Sequence, residues 1–400
     1  MKKTKYLAGF ILFAACVANF SPNYSQYQLS PLASQLMEMF SMTPSQFSSI
    51  FTAVMMPAIF LSLVAGILAD RFGLKRVVGV GLGFTALGTC LRIFAGSYGT
   101  LVVFMFMTGI GATLLNANGA KFIGSYFPPE KNVTMMSIFQ ASATLAMAVA
   151  MGTTSLFSSV SSAFVFAAGI SLAALILWLV FARDPKQEAG AGAAELPRAT
   201  IAEAMRIVVR NKYVWLTAFC LMGIITSATA MNAFLPTALA ERGIDAIQAG
   251  VVASFMTIGN LCGCLAVPFI ANRLGKNKPV LAACAILAAV GSAFAWRAPE
   301  GPLLIASLFL TGACLSGMVP LLMPIPVQIK EIGPLYGGTA GGFVTTIQLL
   351  GVVLLPTYVL TPLAGGNMTL YYLLCGLCVC MSIITVFFLP EFGRKAISKE

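Results

Sequence analysis

Histidine is absent from the 400 residues, only 13 residues are acidic, and charged side chains make up 9% of the chain. The missing imidazoles remove the side chain that most readily exchanges protons near neutral pH, which is also the commonest metal ligand. The few acids lie between or at the edges of apolar runs: Glu38, Glu241, Asp245 and Glu300 in connections, Asp70 and Glu130 at run ends, the rest in a linker, a loop and the tail. No run carries a carboxylate in its middle, so a built-in proton relay is disfavoured. The clustered acid, histidine or metal site of an enzyme is also lacking, and no catalytic residue is expected. Cys262-x-Cys264 and Cys375-x-x-Cys378-x-Cys380 imitate metal spacing, but they fall inside apolar runs where packing is the expected role. Neither a metal nor a cofactor is expected.

What the chain does have is grease. Hydrophobic residues are 58% of it, against roughly 45–50% in soluble domains. A membrane span takes about 20 mostly apolar residues, so a chain of this length with short loops holds about a dozen spans. Turn and charge signals divide it into runs at 6–30, 45–69, 76–95, 100–125, 132–155, 160–181, 212–238, 246–271, 278–296, 302–325, 338–361 and 369–389. The predicted fold is an all-α membrane protein of twelve transmembrane helices in two pseudo-symmetric six-helix halves. The halves are residues 1–183 and 211–390. Between them residues 184–210 form a cytoplasmic linker, DPKQEAGAGAAELPRAT followed by the amphipathic IAEAMRIVVRNK, and residues 391–400 form a tail. With the N-terminus in the cytoplasm, every Lys and Arg except Arg92, Lys121, Arg242 and Arg297 falls on the cytoplasmic side, which favours cytoplasmic termini at both ends. The net charge of +11 is then mainly that bias, and the lipid bilayer rather than nucleic acid is the expected partner.

Internal repetition decides how the first segment is read. Lys2, Lys3 and Lys5 followed by an apolar run have the form of an export signal. TKYLAGFILFAACVANF at Thr4, however, is echoed by NKYVWLTAFCLMGIITS at Asn211. Thr43 and Gln46 correspond to Asp245 and Gln248, both in capping-box form, and LADRFGLKR at Leu68 corresponds to IANRLGKNK at Ile270. A segment with a mid-chain counterpart is expected to be a retained span. The prolines of GMVPLLMPIPVQ, at Pro320, Pro324 and Pro326, predict a broken end of the tenth span.

GILADRFGLKRV, from Gly66 to Val77, closely resembles the G-x-L-x-D-R-x-G-R-K signature that follows span two in the major facilitator superfamily. Gly66, Leu68, Asp70, Arg71, Gly73 and Lys75 match, and Leu74 stands where a basic residue is common. The second-half copy keeps Arg273, Gly275 and Lys278 but has Asn272 in place of the acid. The resemblance implies secondary active transport of a small solute by alternating access, with this loop acting as a gating latch through Gly66, Asp70, Arg71, Gly73, Lys75 and Arg273. It further implies a monomer in the bacterial inner membrane, with a coupling ion or counter-substrate. LRIFAG, the glycine-rich fourth span and YFPP look like the cyanate-permease-like and small-carboxylate branch. The basic residues that oxalate/formate exchangers carry in spans eight and eleven have no counterpart here.

In that family spans one, four, seven and ten line the cavity. Polar groups within apolar helices are costly unless they meet water, a partner or a ligand. The candidate solute-binding residues are therefore Asn23, Tyr24, Tyr27 and Gln28 in span one, Arg92 in span three, Asn116 and Lys121 in span four, Gln140 in span five, Asn232 in span seven and Gln348 in span eleven. Each amide can equally serve a helix-to-helix hydrogen bond. For Arg92, near the outer end of its span, snorkelling to the surface is the favoured expectation, with the cavity as the alternative. Cations without acids nearby point to an anionic substrate, a small organic anion or carboxylate. The alternative is efflux of amphipathic drugs, which a chain with 29 Phe and 20 Met can accommodate.

Overall fold

A computed structural model describes residues 2–127, 129–182, 201–329 and 332–389, and the regular structure among them is helical. The chain divides into two compact units, Met1–Gln187 with Asn232–Ser254, and Glu188–Met231 with Phe255–Glu400. The first contains α1 (Lys2–Tyr27), α2 (Ala33–Met39), α3 (Pro44–Ala53), α4 (Met56–Phe72), α5 (Leu74–Leu91), α6 (Tyr98–Ala117), α7 (Gly119–Tyr126), α8 (Pro129–Thr153) and α9 (Val160–Phe181). Next come α10 (Ile201–Arg210), α11 (Lys212–Glu241), α12 (Ala246–Leu274), α13 (Lys278–Phe294), α14 (Pro302–Leu322), α15 (Ile325–Gln328), α16 (Gly333–Leu355), α17 (Thr361–Ala364) and α18 (Met368–Phe388). Of the expected linker, residues 184–200 lie outside the described residues, as does the tail, and α10 is the short helix that follows the linker.

Eleven stretches among the described residues are long and apolar enough to cross a bilayer. α1 adds a helix of 26 residues, about 39 Å long, which is not among those eleven. It is central to the first unit all the same. Ala14, Ala15 and Ala18 are fully buried, and α1 packs against α8, α9 and α6.

Helix starts and breaks follow local chemistry. Thr43 completes its capping box, its N–H donating to Gln46 Oε1 at 2.9 Å and its Oγ1 accepting from the Gln46 N–H at 3.3 Å. Asp245 opens α12 by accepting the Ile247 N–H at 3.0 Å. Pro57, which has no N–H and crowds the carbonyl four residues back, falls at the break between α3 and α4. The proline-rich end of span ten breaks between α14 and α15, as the sequence predicts. In span eleven Pro356–Leu360 forms a π-helical turn, with the Thr361 hydroxyl donating to the Pro356 carbonyl at 2.6 Å.

The duplication is legible in backbone geometry. Gly73, between α4 and α5, has φ +88°, and Gly275, 202 residues later and just after α12, has φ +70°. Only glycine adopts this conformation without strain, which explains why both copies of the signature keep it. A Cβ on Gly109 would lie 2.0 Å from the Val54 carbonyl oxygen, and one on Gly312 would lie 2.1 Å from that of Met256. Equivalent helices of the two halves thus touch backbone to backbone at equivalent points.

Gly109→Ala and Gly312→Ala should each destabilise the folded protein by about 1–3 kcal/mol through overpacking. Gly83→Ala, where an added Cβ meets nothing within 4 Å, should leave the thermal unfolding midpoint in detergent unchanged.

Candidate functional site

The second half of α1 carries polar side chains that tie the first unit together. Asn19 Nδ2 donates to the Phe139 carbonyl of α8 at 2.9 Å, the Ser21 and Ser171 hydroxyls lie 2.7 Å apart, and Gln26 Nε2 donates to the Phe51 carbonyl of α3 at 2.9 Å. Just beyond the helix, Gln28 Nε2 donates to the Ala163 carbonyl of α9 at 2.7 Å. In lipid such bonds supply directional cohesion between helices that the hydrophobic effect does not. Of the candidates, Gln28 is therefore engaged between helices, and Asn23 donates from Nδ2 to the Asn19 carbonyl at 2.8 Å within α1.

Arg92, in the short 3₁₀ turn after α5, is 1% exposed. Rather than snorkelling, it turns inward. Nη1 donates to the Ser25 carbonyl at 2.9 Å, Nη2 donates to Gln28 Oε1 at 2.5 Å, and the guanidinium lies 4.3 Å from the centre of the Phe164 ring. Where α1 stops at Tyr27, the carbonyls of Tyr24, Gln26 and Tyr27 accept the N–H groups of Gln28, Leu29 and Ser30, and that of Ser25 takes the cation, at the negative end of the helix dipole. Tyr24 is buried, stacked on Phe20 at 5.8 Å and edge-on to Phe166 at 5.9 Å, and its hydroxyl has no hydrogen-bond partner among the described residues. Tyr27 is buried edge-on to Phe51 at 5.3 Å.

The remaining candidates are placed apart from this cluster. Asn116, at the end of α6, and Gln140, on α8, are exposed and make no hydrogen bond among the described residues. Asn118, two residues after Asn116, is buried at the break between α6 and α7, where Nδ2 donates to the carbonyls of Leu114 at 2.9 Å and Ala65 at 3.2 Å. Asn232 is buried in the first unit, and its carbonyl accepts the Ser30 hydroxyl. These two residues are 202 apart, so equivalent positions of the repeat meet each other. Phe47 and Phe234 pack nearby with ring centres 5.2 Å apart. Gln348 is buried on α16 of the second unit, and its Oε1 has no partner among the described residues. Ser25 and Asn19, which no sequence pattern singles out, complete this set of polar contacts. Ser25 acts through its carbonyl, a group that side-chain chemistry cannot flag.

In the signature loop, Arg71 and Arg273 are exposed over Phe72 and Phe269, at 5.4 and 5.8 Å from the ring centres. The carbonyl of Lys75 accepts the indole N–H of buried Trp178 at 3.0 Å, which fixes α5 against α9. Gly66 and Asp70 lie on α4 and Lys121 on α7, and their surroundings fall outside the described residues.

A duplicated, helical, multi-pass fold with polar groups inside its spans is an architecture that membrane transporters use. The model of the Major Facilitator Superfamily matches residues 7–356, and the chain belongs to that family. Its relatives include a probable 4-methylmuconolactone transporter of Cupriavidus pinatubonensis, 23% identical over 83% of this chain and 79% of that protein. The hexuronate transporter of Bacillus subtilis is 22% identical over 98% of this chain and 97% of its own length. Among solved structures, a point mutant of the nucleoside transporter NupG shares the fold with a TM-score of 0.75 at 17% identity, covering 94% of this chain and 98% of its own.

Gln28→Leu would strip an acceptor from a buried guanidinium and a donor from the Ala163 carbonyl. Stability should fall by about 2–3 kcal/mol, read as a lowered thermal midpoint of the purified protein.

Proposed function

We propose that the chain carries a small organic anion, a carboxylate, across the bacterial cytoplasmic membrane by alternating access, with both termini in the cytoplasm. The reading is carried by Asn116 and Gln140, two exposed amides within stretches apolar enough to cross a bilayer. An amide left facing hydrocarbon costs several kcal/mol, so these positions fit a water-filled path for a polar solute. Lys121 follows Asn116 on the same span, and neither α6 nor α7 contains an acid, so an anion is favoured over a cation. The hexuronate transporter, similar along nearly its whole length, supports the same substrate class. Gly66, Asp70, Arg71 and Lys75 are proposed as the cytoplasmic latch around the Gly73 turn of the first unit, and Arg273 as its counterpart beside the Gly275 turn of the second. Gln348 is proposed as a solute-contacting residue of the second unit.

Purified protein in proteoliposomes should take up radiolabelled hexuronate or another small carboxylate. Asn116→Ala and Gln140→Ala should raise KM several-fold with unchanged thermal midpoints, and Lys121→Ala should abolish preference for the carboxylate over its neutral amide. Carboxylate uptake indistinguishable from that of protein-free vesicles, together with dye efflux that survives all three substitutions, would overturn this in favour of amphipathic drug export. With no histidine in the chain, binding of a fully ionised solute should be unchanged between about pH 6 and 8.

A further inference from the structure

The short helix α10, which leads into α11 of the second unit, has two stripes that the protein leaves uncovered. Successive residues of a helix are 100° apart, so Met205 and Val209 share one stripe, and Arg206 and Arg210 share the stripe beside it. Met205 and Val209 are 36% and 41% exposed, and both arginines are exposed, without a hydrogen bond or ion pair among the described residues. Val208, on the far side of the apolar stripe from the arginines, is fully buried, and α10 packs against α16. Around the helix the order is therefore protein, bare apolar stripe, bare cationic stripe.

The position of this face is fixed. The Trp215 indole N–H donates to the Val209 carbonyl at 2.8 Å, and the Trp215 ring stands edge-on to Phe343 of α16 at 5.0 Å and stacks on Phe219 at 5.6 Å. A single residue, Asn211, separates α10 from α11. α11 has 30 residues, about 45 Å, against a hydrocarbon core about 30 Å thick, so its ends reach the headgroup layers and α10 joins it at that level. Helix α10 contains one acid, Glu203, against its two arginines, and Lys212 follows directly. The segment is net cationic. A free phosphate would engage the arginines and leave Met205 and Val209 bare, whereas an amphiphile with an anionic head satisfies both stripes.

From this we infer that α10 is a binding site for an anionic phospholipid, with the phosphate at Arg206 and Arg210 and an acyl chain along Met205 and Val209. The lipid completes the packing of α10 on its uncovered side, and the site stands independently of the transported solute.

The test is native mass spectrometry and thermal unfolding of the purified full chain in detergent, titrated with phosphatidylglycerol or phosphatidylcholine, because a ligand that binds only the folded state raises the midpoint. Phosphatidylglycerol should bind at several-fold lower concentration than phosphatidylcholine and raise the midpoint by several degrees. Arg206→Gln combined with Arg210→Gln should weaken phosphatidylglycerol binding several-fold and leave phosphatidylcholine binding unchanged. Met205→Gln combined with Val209→Gln should weaken both lipids, and Arg76→Gln, at an exposed cation of α5, should weaken neither. Equal binding of the two lipids, a loss in the arginine variant no larger than that in Arg76→Gln, or a midpoint rise reproduced by inorganic phosphate would each overturn the inference. So would a midpoint lowered by the arginine substitutions in the absence of lipid, which would mean that another part of the chain covers this face.

Discussion

Helices surrounded by lipid gain little from hiding apolar side chains from one another, so they must be held by what lipid cannot offer: close backbone contact and hydrogen bonds. Gly109 against the Val54 carbonyl is the point on which the first unit turns. The contact requires the break that accompanies Pro57, because the Val54 carbonyl lies in the gap between α3 and α4. It fixes α6 against that gap, and α6 in turn carries Asn116 at its end. The same arrangement recurs at Gly312 and Met256. A single solution to close packing was duplicated, and the copies have kept the geometry while most of their sequence diverged.

Polar groups supply the second kind of hold. Near the end of α1 the Ser25 carbonyl is left over by the backbone turn that follows, and Arg92 reaches across from the end of α5 to take it. Gln28 then links the cation to the start of α9. Three helices from distant parts of the sequence thus meet at one guanidinium, whose charge is balanced by a helix end, a ring face and an amide instead of by a carboxylate. Removing any one neighbour exposes the shortfall of the others.

Most of the fold could be read from the sequence because its causes are local. Span lengths, the capping box at Thr43, the proline break after α14 and the glycine turns at 73 and 275 each depend on a few adjacent residues. The site was less legible. Asn116 and Asn118 look alike in sequence, yet two residues correspond to about 200° of helix rotation, which leaves one exposed and the other buried in a break. Arg92 read as a snorkelling residue because its main partner is the backbone of Ser25. That carbonyl becomes available only because α1 ends where it does. Likewise, the amides of span one were ambiguous in sequence, and only the positions of the Phe51, Phe139 and Ala163 carbonyls assign Gln26, Asn19 and Gln28 to helix contacts.

The π turn at Pro356–Leu360 changes the phase of span eleven. Such a turn accommodates one residue more than an α-helical turn, equivalent to about 100° of azimuth. Gln348 and Thr361, on either side of it, are therefore not separated by the roughly 220° that a uniform helical wheel would assign them. A side-chain scan along this span should be interpreted as two separate wheels, with Pro356 as the point where one ends and the other begins.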